Sequence, residues 1–125
     1  MRPVPQLIAV IDDDPDVCLG LKRLLSAAGF AVETYSSGTA FMQAIGDCKP
    51  DCAVLDLHMP ESNGFDVLEQ LAAGHTGLPA VAITGHDTPE ARSRAMALGA
   101  SAYLRKPVDR KELVAAINAA IGRSA

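Results

Sequence analysis

Tryptophan is absent from this sequence of 125 residues, and three phenylalanines and two tyrosines supply all its large aromatic rings. Its eleven lysines and arginines are scattered and outnumbered by fifteen aspartates and glutamates, leaving a net charge of −4 at pH 7. Nucleic-acid binding calls for a basic stripe or a basic patch interleaved with stacking aromatics. Neither is present, so this chain is not expected to bind nucleic acid directly. Cysteine is also scarce, with only Cys18, Cys48 and Cys52. The stretch C-K-P-D-C between Cys48 and Cys52 is too wide for a thioredoxin-type C-x-x-C and has no second ligand pair for zinc. All three are read as buried or half-buried free thiols, which suits a reducing cytoplasm. No apolar run approaches the roughly 18 residues of a membrane span, and no hydrophobic signal segment follows Met1. A cytoplasmic protein without membrane attachment is the expectation.

What remains is an ordinary globular composition, 49% hydrophobic and 21% charged. A chain of this length can bury a genuine core without disulfides or a structural metal. One domain over residues 1–125, with its core at about 6–122, is expected. Short apolar runs alternate with longer helical patterns. "LIAVI" (7–11) is continuous and β-branched, as suits a strand covered on both faces. Val17, Leu21, Leu24, Leu25 and Ala28 then repeat at helical spacing, and Gly29 is a natural stop. "AVETY" (31–35) is a more polar strand, suited to a sheet edge, and "GTAFMQAIG" (38–46) reads as a short helix.

Pro50-Asp51 turns the chain into a central strand containing Val54 and Leu55. A third helix follows at about 65–73, with Val67, Leu68 and Leu71 inward. "PAVAIT" (79–84) is a strand, "PEARSRAMALG" (89–99) a helix and "AYLR" (102–105) a short strand. The last helix, over 109–122, sets Leu113, Ile117, Ala120 and Ile121 on one face. This (βα)₅ order predicts an α/β fold, a doubly wound five-stranded parallel sheet with helices on both sides. Such sheets bind ligands beyond the carboxyl ends of their strands.

Those ends carry the chemistry. Strand one closes in Asp12-Asp13-Asp14, strand three in Asp56, strand four in Thr84 and strand five in Lys106, and right-handed crossovers bring them to one rim. Burying the Asp56 carboxylate without a partner would cost several kcal/mol, so the apolar run "CAVLD" implies either a waiting cation or a chemical use. Asp14, directly before Pro15, is explained as a helix N-cap. Asp12 and Asp13 have no comparable structural role. Thr84 or Lys106 alone would be commonplace, as a strand-end threonine or a solvated lysine; together on one rim with the aspartates they are not. An acidic cluster without histidine or cysteine side-chain ligands suits a hard cation such as Mg²⁺. With a lysine beside it, the set is equipped for phosphoryl transfer to a carboxylate.

"VIDDDPDV", "VLDLHMPESNGFDVL", "AITGH" and "GASAYLRKPVDRKEL" together resemble the receiver domain of bacterial two-component response regulators, of the FixJ-like or receiver-only kind. The likeness covers nearly the whole chain, with the motifs in family order and at family spacing. It implies a flavodoxin-like sheet of strand order 2-1-3-4-5. It also implies that Asp56 is the phosphoacceptor, loaded by a sensor histidine kinase or a phosphotransfer protein. Mg²⁺, or Mn²⁺ in its place, would be held by the side chains of Asp13 and Asp56, by the backbone carbonyl of His58, and by Asp12 through water. Thr84 and Lys106 would each meet a phosphoryl oxygen, and the bond before Pro107 would be cis.

Thr84 and Tyr103 would form the switch, although the residues alone leave Tyr103 equally readable as an ordinary strand aromatic, half in the core. The fourth helix, fifth strand and fifth helix would form the output surface, including a phosphorylation-linked homodimer. His58 and His86 would flank the entrance to the phosphoryl group and tune its loss to water.

Two other classes share parts of this pattern. A Mg²⁺-dependent phosphatase or phosphotransferase also uses a strand-end aspartate, but commonly with a second acid two positions later, where this chain has His58, and with a cap domain. A flavodoxin-like FMN carrier would need a first loop rich in serine, threonine and glycine, where this chain has three aspartates. The last apolar helix position, Ile121, lies four residues from Ala125, so no output domain is expected to follow. A stand-alone receiver and a piece excised from a longer regulator both fit.

Overall fold

Each apolar run becomes a strand of one sheet in the computed structural model, which describes residues 5–59, 64–74 and 77–124. The strands are β1 (Leu7–Ile11), β2 (Ala31–Tyr35), β3 (Cys52–Asp56), β4 (Ala80–Thr84) and β5 (Ala102–Arg105). Between and after them run α1 (Pro15–Ala27), α2 (Gly38–Cys48), α3 (Gly64–Ala73), α4 (Pro89–Ala97) and α5 (Arg110–Ser124). All neighbouring strands are parallel, in the order β2-β1-β3-β4-β5. Central β3 and its neighbour β4 are buried along their whole length, whereas edge strand β2 stays largely open to solvent. Its polar residues Glu33 and Thr34 are tolerated because only one side of β2 is paired.

Strand side chains alternate between the two faces and so build two cores. Ala9, Ile11, Ala53, Leu55 and Ala82 face Phe41, Val67, Leu68, Leu71 and Ala95 from α2, α3 and α4. Ile8, Val10, Val54, Val81 and Ile83 face Cys18, Leu21, Leu25, Leu113 and Ile117 from α1 and α5. The inward stripe of α1 thus includes Cys18, while Val17, Leu24 and Ala28 are only half-buried. Cys52 is a buried free thiol like Cys18. The thiol of Cys48 and the motif residues 60–63 lie outside what the structure describes.

Caps set the helix limits. Asp14 accepts from the Asp16 amide and caps α1, Ser37 accepts from Ala40 and caps α2, and Thr88 accepts from Ala91 and caps α4. Gly46 does not end α2, which runs two residues beyond the expected stop. The left-handed turn is made instead by Lys49, at φ 47°, just before Pro50. Likewise α5 continues through Gly122 to Ser124. A lone glycine weakens a helix by only about 1 kcal/mol, too little to end one held by packing.

Candidate functional site

Sheet register fixes the site. Ile11 pairs with Leu55, Asp56 with Ile83, and Thr84 with Arg105. Asp12, Asp56, Thr84 and Lys106 therefore emerge from four adjacent strands at one carboxyl edge, with Asp56 in the middle. Asp12 and Asp56 are almost wholly buried, at 1% and 3% exposure, and Thr84 is fully buried; Asp13 is exposed.

Hydrogen bonds hold the acids in place. Asp12 accepts from the Asp14 amide at 3.0 Å, and its own amide donates to the Tyr35 carbonyl at 3.1 Å. The His58 amide donates to Asp56 Oδ1 at 3.2 Å. Lys106, whose amide is anchored on the Thr84 carbonyl at 2.8 Å, sends its ammonium 2.9 Å from Asp12 Oδ2 and 3.5 Å from Asp56 Oδ2. The peptide bond between Lys106 and Pro107 is cis. Carboxylate oxygens of Asp12, Asp13 and Asp56 lie within 4.8 Å of one another. Three carboxylates and no imidazole or thiolate make a donor set for a small hard cation, and it fits Mg²⁺.

Electrostatics at Asp56 are finely opposed. Burial pushes its carboxyl above the usual range; the His58 amide then lowers it, Asp12 raises it, and Lys106 lowers it again. For Lys106, burial would lower the pKa, but the Asp12 bond and the charges of Asp56 and Asp12 together raise it. Its ammonium is thus retained between two buried acids.

The Thr84 hydroxyl accepts from the His86 amide at 2.9 Å and lies 2.8 Å from His58 Nδ1. The imidazoles of His58 and His86 stand edge to face with centroids 5.0 Å apart. Position 58 therefore presents a ring turned to Thr84, where a phosphatase of related design would present a second acid. That contact with Thr84 was not legible in the sequence, which pointed to the His58 backbone as a metal ligand and to its ring, with that of His86, at the entrance to the phosphoryl group.

Gly64 was missed as well. A Cβ there would run into the Asp56 carbonyl oxygen and sit 2.7 Å from Leu57 Cα. The first turn of α3 therefore rests directly on the end of β3, with the Gly64 amide donating to the Leu57 carbonyl at 3.1 Å. The Asn-Gly pair in "ESNGFDVL" was the available signal, but it reads equally well as a turn.

The model of the response regulator receiver domain family matches residues 8–118, from the second residue of β1 into α5. The chain belongs to that family.

This receiver is 37% identical over 118 residues to the transcriptional regulatory protein FixJ of Azorhizobium caulinodans, covering 94% of this chain and 56% of that one. It is 34% identical over 115 residues to the DNA-binding transcriptional regulator NtrC of Escherichia coli, covering 92% of this chain and 24% of that one. The receiver thus spans about half, or less, of these relatives' length. Among solved structures, a response regulator receiver domain from Clostridium thermocellum superposes with a TM-score of 0.88 at 34% identity, covering 94% and 95% of the two chains. Among the described residues, no helix of the receiver is long and apolar enough to cross a membrane.

Beyond the acid cluster, the receiver's Tyr103 points into the core beneath α4, only 7% exposed, rather than lying half out. Its hydroxyl is buried without a hydrogen bond among the described residues, and burial, followed by the nearby Asp87 carboxylate, raises its pKa. The Arg92 guanidinium lies 5.8 Å from the Tyr103 ring centre, and that of Arg94 lies 4.3 Å from the Phe65 ring centre. A cleft of about 630 Å³ opens between Thr84, Arg92, Tyr103 and Lys106.

Proposed function

We propose that Asp56 is the phosphoacceptor of this receiver and that a sensor histidine kinase or a phosphotransfer protein loads it. A Mg²⁺ ion held by Asp13 and Asp56, by the His58 carbonyl, and by Asp12 through water would neutralise charge on the phosphoryl oxygens. A carboxylate oxygen of Asp56 forms the new bond to phosphorus as the donor's phosphorus–nitrogen bond breaks, and the electron pair leaves with the donor's imidazole. Lys106 offers its ammonium to a second phosphoryl oxygen, and Thr84 offers its hydroxyl to a third. The observation that carries this reading is the ammonium of Lys106 3.5 Å from a buried Asp56 carboxylate whose other oxygen is held by a backbone amide.

Phosphorylation then favours one of two arrangements of α4, β5 and α5. New contacts to Thr84 and Lys106 exist only in one of them, which is the thermodynamic requirement for a switch. Tyr103, already inward under Arg92, is the aromatic partner of Thr84 in that switch. The surface it controls would engage a downstream protein or a second copy of the receiver, and this chain acts as a signalling domain rather than as a turnover enzyme. Incubation with phosphoramidate and Mg²⁺ is expected to add one phosphoryl group by intact mass, and Asp56→Asn to abolish it. Undiminished labelling in that variant would move the acceptor elsewhere.

A further inference from the structure

Within this phosphoacceptor reading, on which the inference rests, Thr84 must give its hydroxyl proton to a phosphoryl oxygen. In the structure that hydroxyl is already engaged. Its oxygen accepts from the His86 amide at 2.9 Å, and His58 Nδ1 lies 2.8 Å away. Thr84 is fully buried, and among the described residues the hydrogen bonds of its hydroxyl are these two, of which only His58 Nδ1 can accept. If Nδ1 carried the ring proton, the buried hydroxyl proton would have no acceptor, at the cost of an unmade hydrogen bond. The hydrogen-bond network therefore assigns the ring proton to Nε2 and leaves Nδ1 to accept from Thr84.

His58 thus touches both halves of the site. Its backbone amide holds Asp56 Oδ1 at 3.2 Å, and its ring holds Thr84. The ring is itself placed edge to face against Phe65, at 6.4 Å between centroids, and against His86.

We propose that His58 is a positioning residue, a latch that keeps the Thr84 hydroxyl in its resting place and competes with the phosphoryl group for its proton. The bond to Nδ1 and the bond to a phosphoryl oxygen use the same hydrogen, so forming one requires breaking the other. The latch therefore stabilises the resting arrangement selectively, and a group that acts on one arrangement only shifts the balance between them. Removing the ring nitrogen frees Thr84 in advance while leaving the backbone at position 58 unchanged.

The test is equilibrium binding of beryllofluoride, a phosphoryl mimic, in saturating Mg²⁺ to the intact chain. His58→Phe keeps an aromatic ring against Phe65 and His86 but has no acceptor. It is expected to bind roughly five-fold more tightly than the native protein, the factor that one net hydrogen bond supplies. His58→Asn sets an amide oxygen near the place of Nδ1 and should return binding to the native value. In a Thr84→Val background, itself a weaker binder, His58→Phe should change nothing. Unchanged or weaker binding by His58→Phe, or equal tightening in the Thr84→Val background, would overturn the latch. A native protein that binds beryllofluoride but shows no His58 effect would sink the latch alone. A native protein that binds none, and takes no phosphoryl group on Asp56, would remove the phosphoacceptor reading and the latch with it.

Discussion

The ammonium of Lys106 lies 2.9 Å from a carboxylate oxygen of Asp12, a residue 94 positions earlier in the chain. Parallel topology brings the carboxyl ends of β1 and β5 to the same rim, and the long lysine side chain reaches across the ends of β4 and β3, which lie between them. Removing the cation leaves two buried acids to repel each other. Lys106→Met is therefore expected to destabilise the fold by about 2 kcal/mol, less than a fully buried pair would because the lysine side chain is 25% exposed. Mg²⁺ should recover part of this loss. The lysine's raised pKa means its contribution is complete below 10.5 and fades as pH climbs through the folded value. Urea unfolding of both proteins, with and without Mg²⁺, checks this; equal stability at neutral pH would refute it.

Removing Asp56 should have the opposite effect on stability, although its pH dependence has the same sign as that of Lys106. Its folded pKa lies above the unfolded value of 3.8, so the native state binds more protons between the two and stability falls as pH rises through that window. Asp56→Asn removes a buried charge and should raise the metal-free melting temperature at neutral pH by roughly 3–5 °C, the effect of about 1 kcal/mol in a domain of this size. The gain should shrink as the pH falls towards the unfolded value. A variant that melts lower than the native protein at neutral pH would contradict the burial argument.

Gly64→Ala tests the contact between α3 and the end of β3. The added methyl meets backbone, which cannot swing aside as a side chain can. A loss of about 1–3 kcal/mol is expected, together with weaker Mg²⁺ binding, because the displaced segment carries Asp56. Gly46→Ala is the control. Its methyl meets nothing within 4 Å, and it should stabilise α2 slightly. Parity between the two variants in thermal melts would remove the close-approach argument.

Cys52 offers a probe of the core beneath the site. Burial pushes its thiol up to about 12, so almost no thiolate is present near neutrality. Iodoacetamide should leave Cys52 unmodified in the native protein and label it on unfolding, as peptide mass mapping would show. Rapid native labelling would mean that β3 opens far more readily than its burial implies.

Most of the fold was legible because a doubly wound sheet announces itself twice. Apolar runs such as "LIAVI" mark the strands, and caps such as Asp14-Pro15 mark where helices begin. Helix ends were less legible: Lys49, not a glycine, makes the left-handed turn after α2, and packing carries α5 past Gly122. The acid rim could be read from strand ends alone, since topology decides which ends meet. The bond between His58 and Thr84 could not, because it depends on a side-chain rotation 26 residues away from its partner. The closeness of Gly64 to Asp56 was hidden for a different reason, because it depends on the backbone path into α3 and an Asn-Gly pair reads equally well as a turn.

Helix α4 buries a single residue, Ala95, yet two arginines brace it on either flank of that residue, Arg92 over Tyr103 and Arg94 over Phe65. At 3.6 residues per turn these side chains leave the helix in divergent directions. Rolling α4 about its axis in either sense drags one guanidinium off its ring, while lifting or sliding the helix loosens both only gradually. The helix is thus built like a beam resting between two guides. Were the proposed switch to displace it, a binding partner would meet much the same outward residues in a new place rather than a fresh set of residues in the old one.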